Sequence, residues 1–100
     1  MVTLALLARM EAKPGKAEEA AAFLRGALPL AQQESGTTVW FAWRIGANTF
    51  GIFDAFGDES ARQAHLSGQI AAALMAKAPD LFVGTPSIEK LDLLASKLKE

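Results

Sequence analysis

Two short apolar runs on either side of a turn constrain this chain more than any other feature. Val39-Trp40-Phe41-Ala42-Trp43 and Phe50-Gly51-Ile52-Phe53-Asp54-Ala55-Phe56 are rich in aromatic and β-branched residues, with Gly46-Ala47-Asn48 between them. That pattern predicts a β-hairpin. Successive side chains on a strand point to opposite faces, so Trp40 and Phe41 diverge, as do Ala42 and Trp43. A strand with water on one side alternates apolar with polar residues, and this hairpin does not. One of its faces has the chain's own helices to cover it. In a chain of 100 residues the other face requires a second copy, which predicts a homodimer.

Composition narrows the rest. Apolar residues make up 51% of the chain, slightly above the roughly 45–50% of ordinary domains, and the length predicts a single domain over residues 1–100. The formal net charge is −1 with acids and bases interspersed, so no basic patch exists to bind nucleic acid. Cysteine is absent, which excludes disulfides, thiolate metal sites and a Cys nucleophile. Met1 to Ala8 is apolar, but it lacks a positive leader and Arg9 interrupts it, so it reads as a strand rather than a signal peptide. No apolar run approaches the ~18 residues that span a bilayer. The expectation is a cytoplasmic protein with no membrane partner.

Thr3 to Met10 reads as the first strand. Lys16 to about Gln33 reads as a helix, with Ala20, Phe23, Leu24, Ala27 and Ala31 at helical spacing and with Pro29 kinking it or ending its regular part. Glu34-Ser35-Gly36 stops it. After the hairpin, Asp58 is a plausible N-cap for a second helical region. Gly68 interrupts this region and Pro79 ends it. Residues 80–86 read as a loop with Leu81 and Phe82 exposed, and Ser87 to Ala95 as a last strand. The order β-α-β-β-α-β predicts an α+β, ferredoxin-like fold: a four-stranded antiparallel sheet with both helices on one face.

Few residues suggest chemistry. His65 is the only histidine. It is either a partly buried ring bonded to a backbone carbonyl or a general base, its reference pKa of about 6.5 suiting proton transfer near neutrality. One histidine without cysteine makes no ordinary metal site, so no metal and no cofactor are expected. Asp54 interrupts an apolar strand, and a cross-strand ion pair with Arg44 is its simplest role. Trp40 and Trp43 face opposite sides, so one at most lines a given cavity. No glycine-rich phosphate loop or nucleophile elbow is present.

The order of several short segments resembles the antibiotic biosynthesis monooxygenase family of dimeric α+β barrels. These segments are Lys13-Pro14-Gly15-Lys16, Glu34-Ser35-Gly36-Thr37, Phe53-Asp54-Ala55-Phe56 ahead of Ala64-His65-Leu66, and Ile88-Glu89-Lys90-Leu91-Asp92. The resemblance spans nearly the whole chain and implies a cofactor-free oxygenase that turns phenols or quinols into quinones. It places the family's pocket histidine at His65. The chain departs from the family pattern on the third strand, with Ile52 and Phe56 where quinone-forming members carry Asn and Trp. The haem-opening branch's Asn, Trp and His positions fall near Leu6 or Leu7, at His65 and at Leu74, so haem chemistry is not implied.

The resulting expectation is a homodimeric, cofactor-independent monooxygenase acting on a small aromatic phenol or quinol. His65 would be catalytic, Arg44 and Asp54 would be polar contacts, and Trp40, Trp43, Phe53 and Phe56 would serve as walls. The alternative is a non-catalytic small-molecule-binding or structural barrel, since fold does not fix function. Ala64 and Leu66 flank His65, and replacing it with alanine is expected to cost less than about 1 kcal/mol.

Overall fold

The structure is a computed structural model describing residues 1–98. In chain order it has β1 (Leu4–Glu11), α1 (Ala17–Gly26), α2 (Leu28–Gln32), β2 (Thr37–Ile45), β3 (Thr49–Phe56), α3 (Glu59–Leu66), α4 (Gln69–Leu81) and β4 (Ser87–Asp92). The strands form one antiparallel sheet in the order β2-β3-β1-β4. This is the ferredoxin-like arrangement expected from the hydrophobic pattern.

Each helical region is split in two. Pro29 lies in the first turn of α2, where its missing N–H costs nothing, and the break falls before it, at Ala27. The second break is at Ser67-Gly68. Asp58 caps α3 as expected, accepting a hydrogen bond from the Ala61 N–H at 2.8 Å. Pro79 does not end α4: the helix runs through it to Leu81, giving up the hydrogen bond that a proline cannot donate. The expected exposure of Leu81 and Phe82 is therefore corrected. Both are buried, because the longer helix carries Leu81 onto the core and Phe82 forms an antiparallel bridge with Ala12.

Strand alternation sorts the sheet into two faces. Ala8, Met10, Phe50 and Ile52 pack with Leu24 of α1 and Leu74 of α4 in the main core. On the opposite face Val2, Ala5 and Ala55 form a second cluster with Val39, Phe53 and Leu91, to which no helix contributes. Phe41, on that same helix-free face, is 60% exposed. Trp43 also lies there, over Gly51, with the Arg9 guanidinium 5.6 Å from the ring centroid. A β-carbon on Gly51 would stand 2.0 Å from Trp43 Cζ2 and 2.4 Å from the Ala8 carbonyl oxygen, so only glycine fits beneath the indole.

Among the described residues, no helix is long and apolar enough to cross a membrane.

Candidate functional site

The hairpin turn is centred on Ala47, so strand positions equidistant from it become partners. Arg44 lies opposite Phe50, and Trp40 opposite Asp54. The expected Arg44–Asp54 ion pair therefore does not form. Arg44 instead bonds Glu18 at 3.1 Å and the Ala47 carbonyl at 2.9 Å, with its guanidinium over Phe50.

Asp54 points toward the helices and is 2% exposed. α3, whose first turn is fixed by the Asp58 cap, brings His65 in its last turn above it. His65 is 7% exposed and sits between two carboxylates. Its Nε2–H donates to Asp54 Oδ2 at 2.8 Å, and its Nδ1–H donates to Glu34 Oε1 at 2.6 Å. Glu34 Oε1 also accepts from the Thr37 hydroxyl at 2.7 Å. Phe56 closes the side of the ring, with centroids 5.4 Å apart. The expected backbone-carbonyl partner is thus replaced by two acids.

The electrostatics follow from that geometry. Burial disfavours a charged imidazole, but the hydrogen bonds and charges of Asp54 and Glu34 outweigh it and raise the His65 pKa to about 9. At neutral pH the ring is an imidazolium with both nitrogens donating. The sequence-based expectation of a free base titrating near 6–7 is corrected on this ground.

Asp54 and His65 line a cavity of about 40 Å³, whose other walls include Leu6, Ile52, Ile70 and Leu74. Met75 and Ile88 also line it and are substantially exposed, which places them at its mouth. Asp54 Oδ1 has no hydrogen-bond partner. The cavity is therefore apolar with one unsatisfied acceptor and a fixed positive charge behind it. Among the described residues, no group of three metal-binding side chains comes together.

The other residues expected at a site are dispersed. Trp40 is on the helix side, packed against the cluster of Ala27, Ala31 and Ile70, and does not line the His65 cavity. Phe56 touches the His65 ring. Phe53 is corrected: it belongs to the helix-free cluster because it is three residues from Phe56 and so faces the other way. Trp43 and Arg44 line a separate hollow of about 120 Å³ with Leu24, Arg25 and Phe50, away from His65. Glu34 was not singled out from sequence. It reads there as part of a helix stop, and its role depends on the long-range approach of α3.

A scan against protein-family models finds no match, and a search of curated protein sequences finds none. Solved structures do match. A protein of unknown function from Nitrosomonas europaea, NE2512, is 61% identical with a TM-score of 0.97 over 100% of this chain and 97% of that one. A candidate antibiotic biosynthesis monooxygenase from Caulobacter crescentus is 23% identical, TM-score 0.77, over 94% and 92%. Another from Nitrosomonas europaea is 13% identical, TM-score 0.80, over 92% and 90%. The last two share the fold of this chain.

Proposed function

This chain belongs to the same family as the NE2512 protein of Nitrosomonas europaea and has the fold of the antibiotic biosynthesis monooxygenases; from that premise we propose that it is a cofactor-independent monooxygenase of a small phenol or quinol, acting as a homodimer. The observation that carries the reading is a charged Asp54–His65–Glu34 cluster at the floor of an apolar cavity. A phenol that loses its proton becomes electron-rich enough to react with oxygen directly. In the overall conversion phenol and O₂ give a quinone and water: one oxygen atom becomes the new carbonyl and the other leaves as water.

The imidazolium has no free lone pair for general-base work. Its role is to hold Asp54 in place and offset its charge, leaving Asp54 Oδ1 as the free acceptor at the cavity that can take up a phenol's hydroxyl proton in a hydrogen bond. The dimer places the helix-free face, with Leu7, Val39, Phe41, Trp43, Phe53 and Leu91, against its copy. Burying each large side chain is worth roughly 1.5–3 kcal/mol.

A second reading is a non-catalytic small-molecule binder, favoured by the small cavity and by the occupation of both His65 nitrogens. Oxygen uptake with a panel of quinols and hydroxyanthracenes in metal-free buffer separates the two. Stoichiometric quinone formation, reduced at least tenfold in His65→Gln by the loss of the charge that holds Asp54, supports the oxygenase. Ligand binding without oxygen uptake supports the binder.

A further inference from the structure

Among the described residues that line the His65 cavity, one polar side-chain atom has no hydrogen-bond partner: Asp54 Oδ1. Asp54 is 2% exposed, and its Oδ2 is occupied by the His65 Nε2–H at 2.8 Å. Both ring nitrogens of His65 are engaged, so the ring offers the cavity neither a donor nor an acceptor. The other lining residues are alanines, leucines, isoleucines and Met75, all apolar. An ionised carboxylate oxygen can only accept, and buried polar groups are nearly always satisfied. The cavity therefore presents one acceptor and no side-chain donor. Two carboxylates around one imidazolium also leave the cluster behind it net negative.

We propose that this cavity selects uncharged phenols whose hydroxyl is flanked by unsubstituted ring carbons and binds them end-on, the O–H entering to donate to Asp54 Oδ1 while the ring stays at the mouth against Met75 and Ile88. The inference rests on reading the cavity as the substrate site, and it adds which phenols are taken and how they lie. Size sets the pose. The cavity of about 40 Å³ is far smaller than the ~150 Å³ engineered cavity that holds benzene. A hydroxyl fits where a ring does not. Met75 and Ile88 are 48% and 42% exposed, so each has apolar surface left for a ring to cover. Met75 is unbranched and adaptable enough to follow the shape of that ring.

The chemistry selects the ligand class. One acceptor between apolar walls is matched by a group with one donor, and a hydroxyl brings one. An amine or ammonium brings further N–H groups that these walls would leave unpaired, which is costly. An ether has no donor. A carboxylate adds a negative charge to a cluster that is already net negative. Substituents next to the hydroxyl would have to enter the neck with it, and overfilling a packed space is destabilising.

The single histidine supplies the reporter, because its Nε2–H shares Asp54 with the ligand. The whole protein is titrated with phenol, anisole, 2,6-dimethylphenol and benzoate while the His65 Nε2 signal is followed by NMR. Phenol should shift that signal saturably, and each of the other three should bind at least about fivefold more weakly. Two added methyl groups would strengthen binding in an open apolar site, so weaker binding of 2,6-dimethylphenol reports the narrow entrance. Asp54→Asn can turn an amide donor toward the cavity and should erase the preference for phenol over anisole. Met75→Ala should weaken phenol binding and keep that preference. The four ligands are compared on the native protein, so they decide the question even where Asp54→Asn fails to fold. Equal affinity for phenol and anisole would overturn the proposal. So would 2,6-dimethylphenol binding as tightly as phenol, the lack of a saturable His65 shift with phenol, a preference for phenol that survives in Asp54→Asn, or unchanged phenol affinity in Met75→Ala. The expected order of binding without oxygen uptake would leave this site standing and remove the oxygenase reading. Protein-dependent oxygen uptake as fast with 2,6-dimethylphenol as with phenol would do the reverse.

Discussion

Replacing His65 with alanine probes the buried charge cluster directly. Asp54 is 2% exposed, its Oδ2 is held by His65, and its Oδ1 has no partner. Without the imidazolium, a buried carboxylate keeps neither bond nor counter-charge. Removing one member of a buried ion pair costs about 3–5 kcal/mol, and loss of the ring's packing on Phe56 adds to it. Glu34 contributes less, because its side chain is 21% exposed and water can solvate it. With a urea slope near 1–2 kcal/mol per molar for a small protein, the midpoint should fall by at least about 1.5 M. Protein concentration must be held fixed, since any self-association is linked to stability. The Asp54→Ala/His65→Ala double variant removes both charges and should cost less than the sum of the singles by at least about 2 kcal/mol. A loss below about 1 kcal/mol for His65→Ala, as the flanking residues alone would suggest, would refute the reasoning. Additivity within about 0.5 kcal/mol would do so too.

Three further outcomes are expected. Because the folded His65 pKa is raised to about 9 by Asp54 and Glu34, the charges facing it, its stabilisation is complete below about pH 6.5 and is lost as pH rises through 9; urea midpoints across that range should track a loss of roughly 3 kcal/mol, and a flat profile would contradict the assignment. Gly51→Ala should destabilise by more than about 2 kcal/mol, because its β-carbon meets the Ala8 carbonyl as well as Trp43; an unchanged melting temperature would show that the indole does not lie on the strand. Phe41→Glu, on the exposed helix-free face, should convert a dimer to a monomer at micromolar concentration by light scattering, and an unchanged mass would place the interface elsewhere.

The fold was legible because periodicity and turn residues agree along the chain. The aromatic and β-branched runs on either side of the Gly46-Ala47-Asn48 turn and the Asp58 cap both led to elements that exist where expected. Pro79 misled because a proline late in a helix lies where packing of Leu81 and Phe82 into the core outweighs one missing hydrogen bond. The site was harder to read. Asp54 and His65 were both visible as unusual residues, but their pairing depends on how α3 lies across β3. Turn geometry alone would have excluded the Arg44–Asp54 pair, since a turn centred on Ala47 sets Arg44 opposite Phe50. Glu34 left no local signal. A carboxylate that ends a helix is ordinary, and its 2.6 Å bond to His65 spans 31 residues of sequence.

The protonation state of His65 tests the account most directly, and the chain offers a clean reading because it has one histidine. Nitrogen-15 NMR of the imidazole across pH 5 to 10 reports whether each ring nitrogen carries a proton. The account predicts both nitrogens protonated at pH 7.5, with a single midpoint near 9. A neutral ring at pH 7.5, with a midpoint at or below the ordinary value of about 6.5, would contradict it.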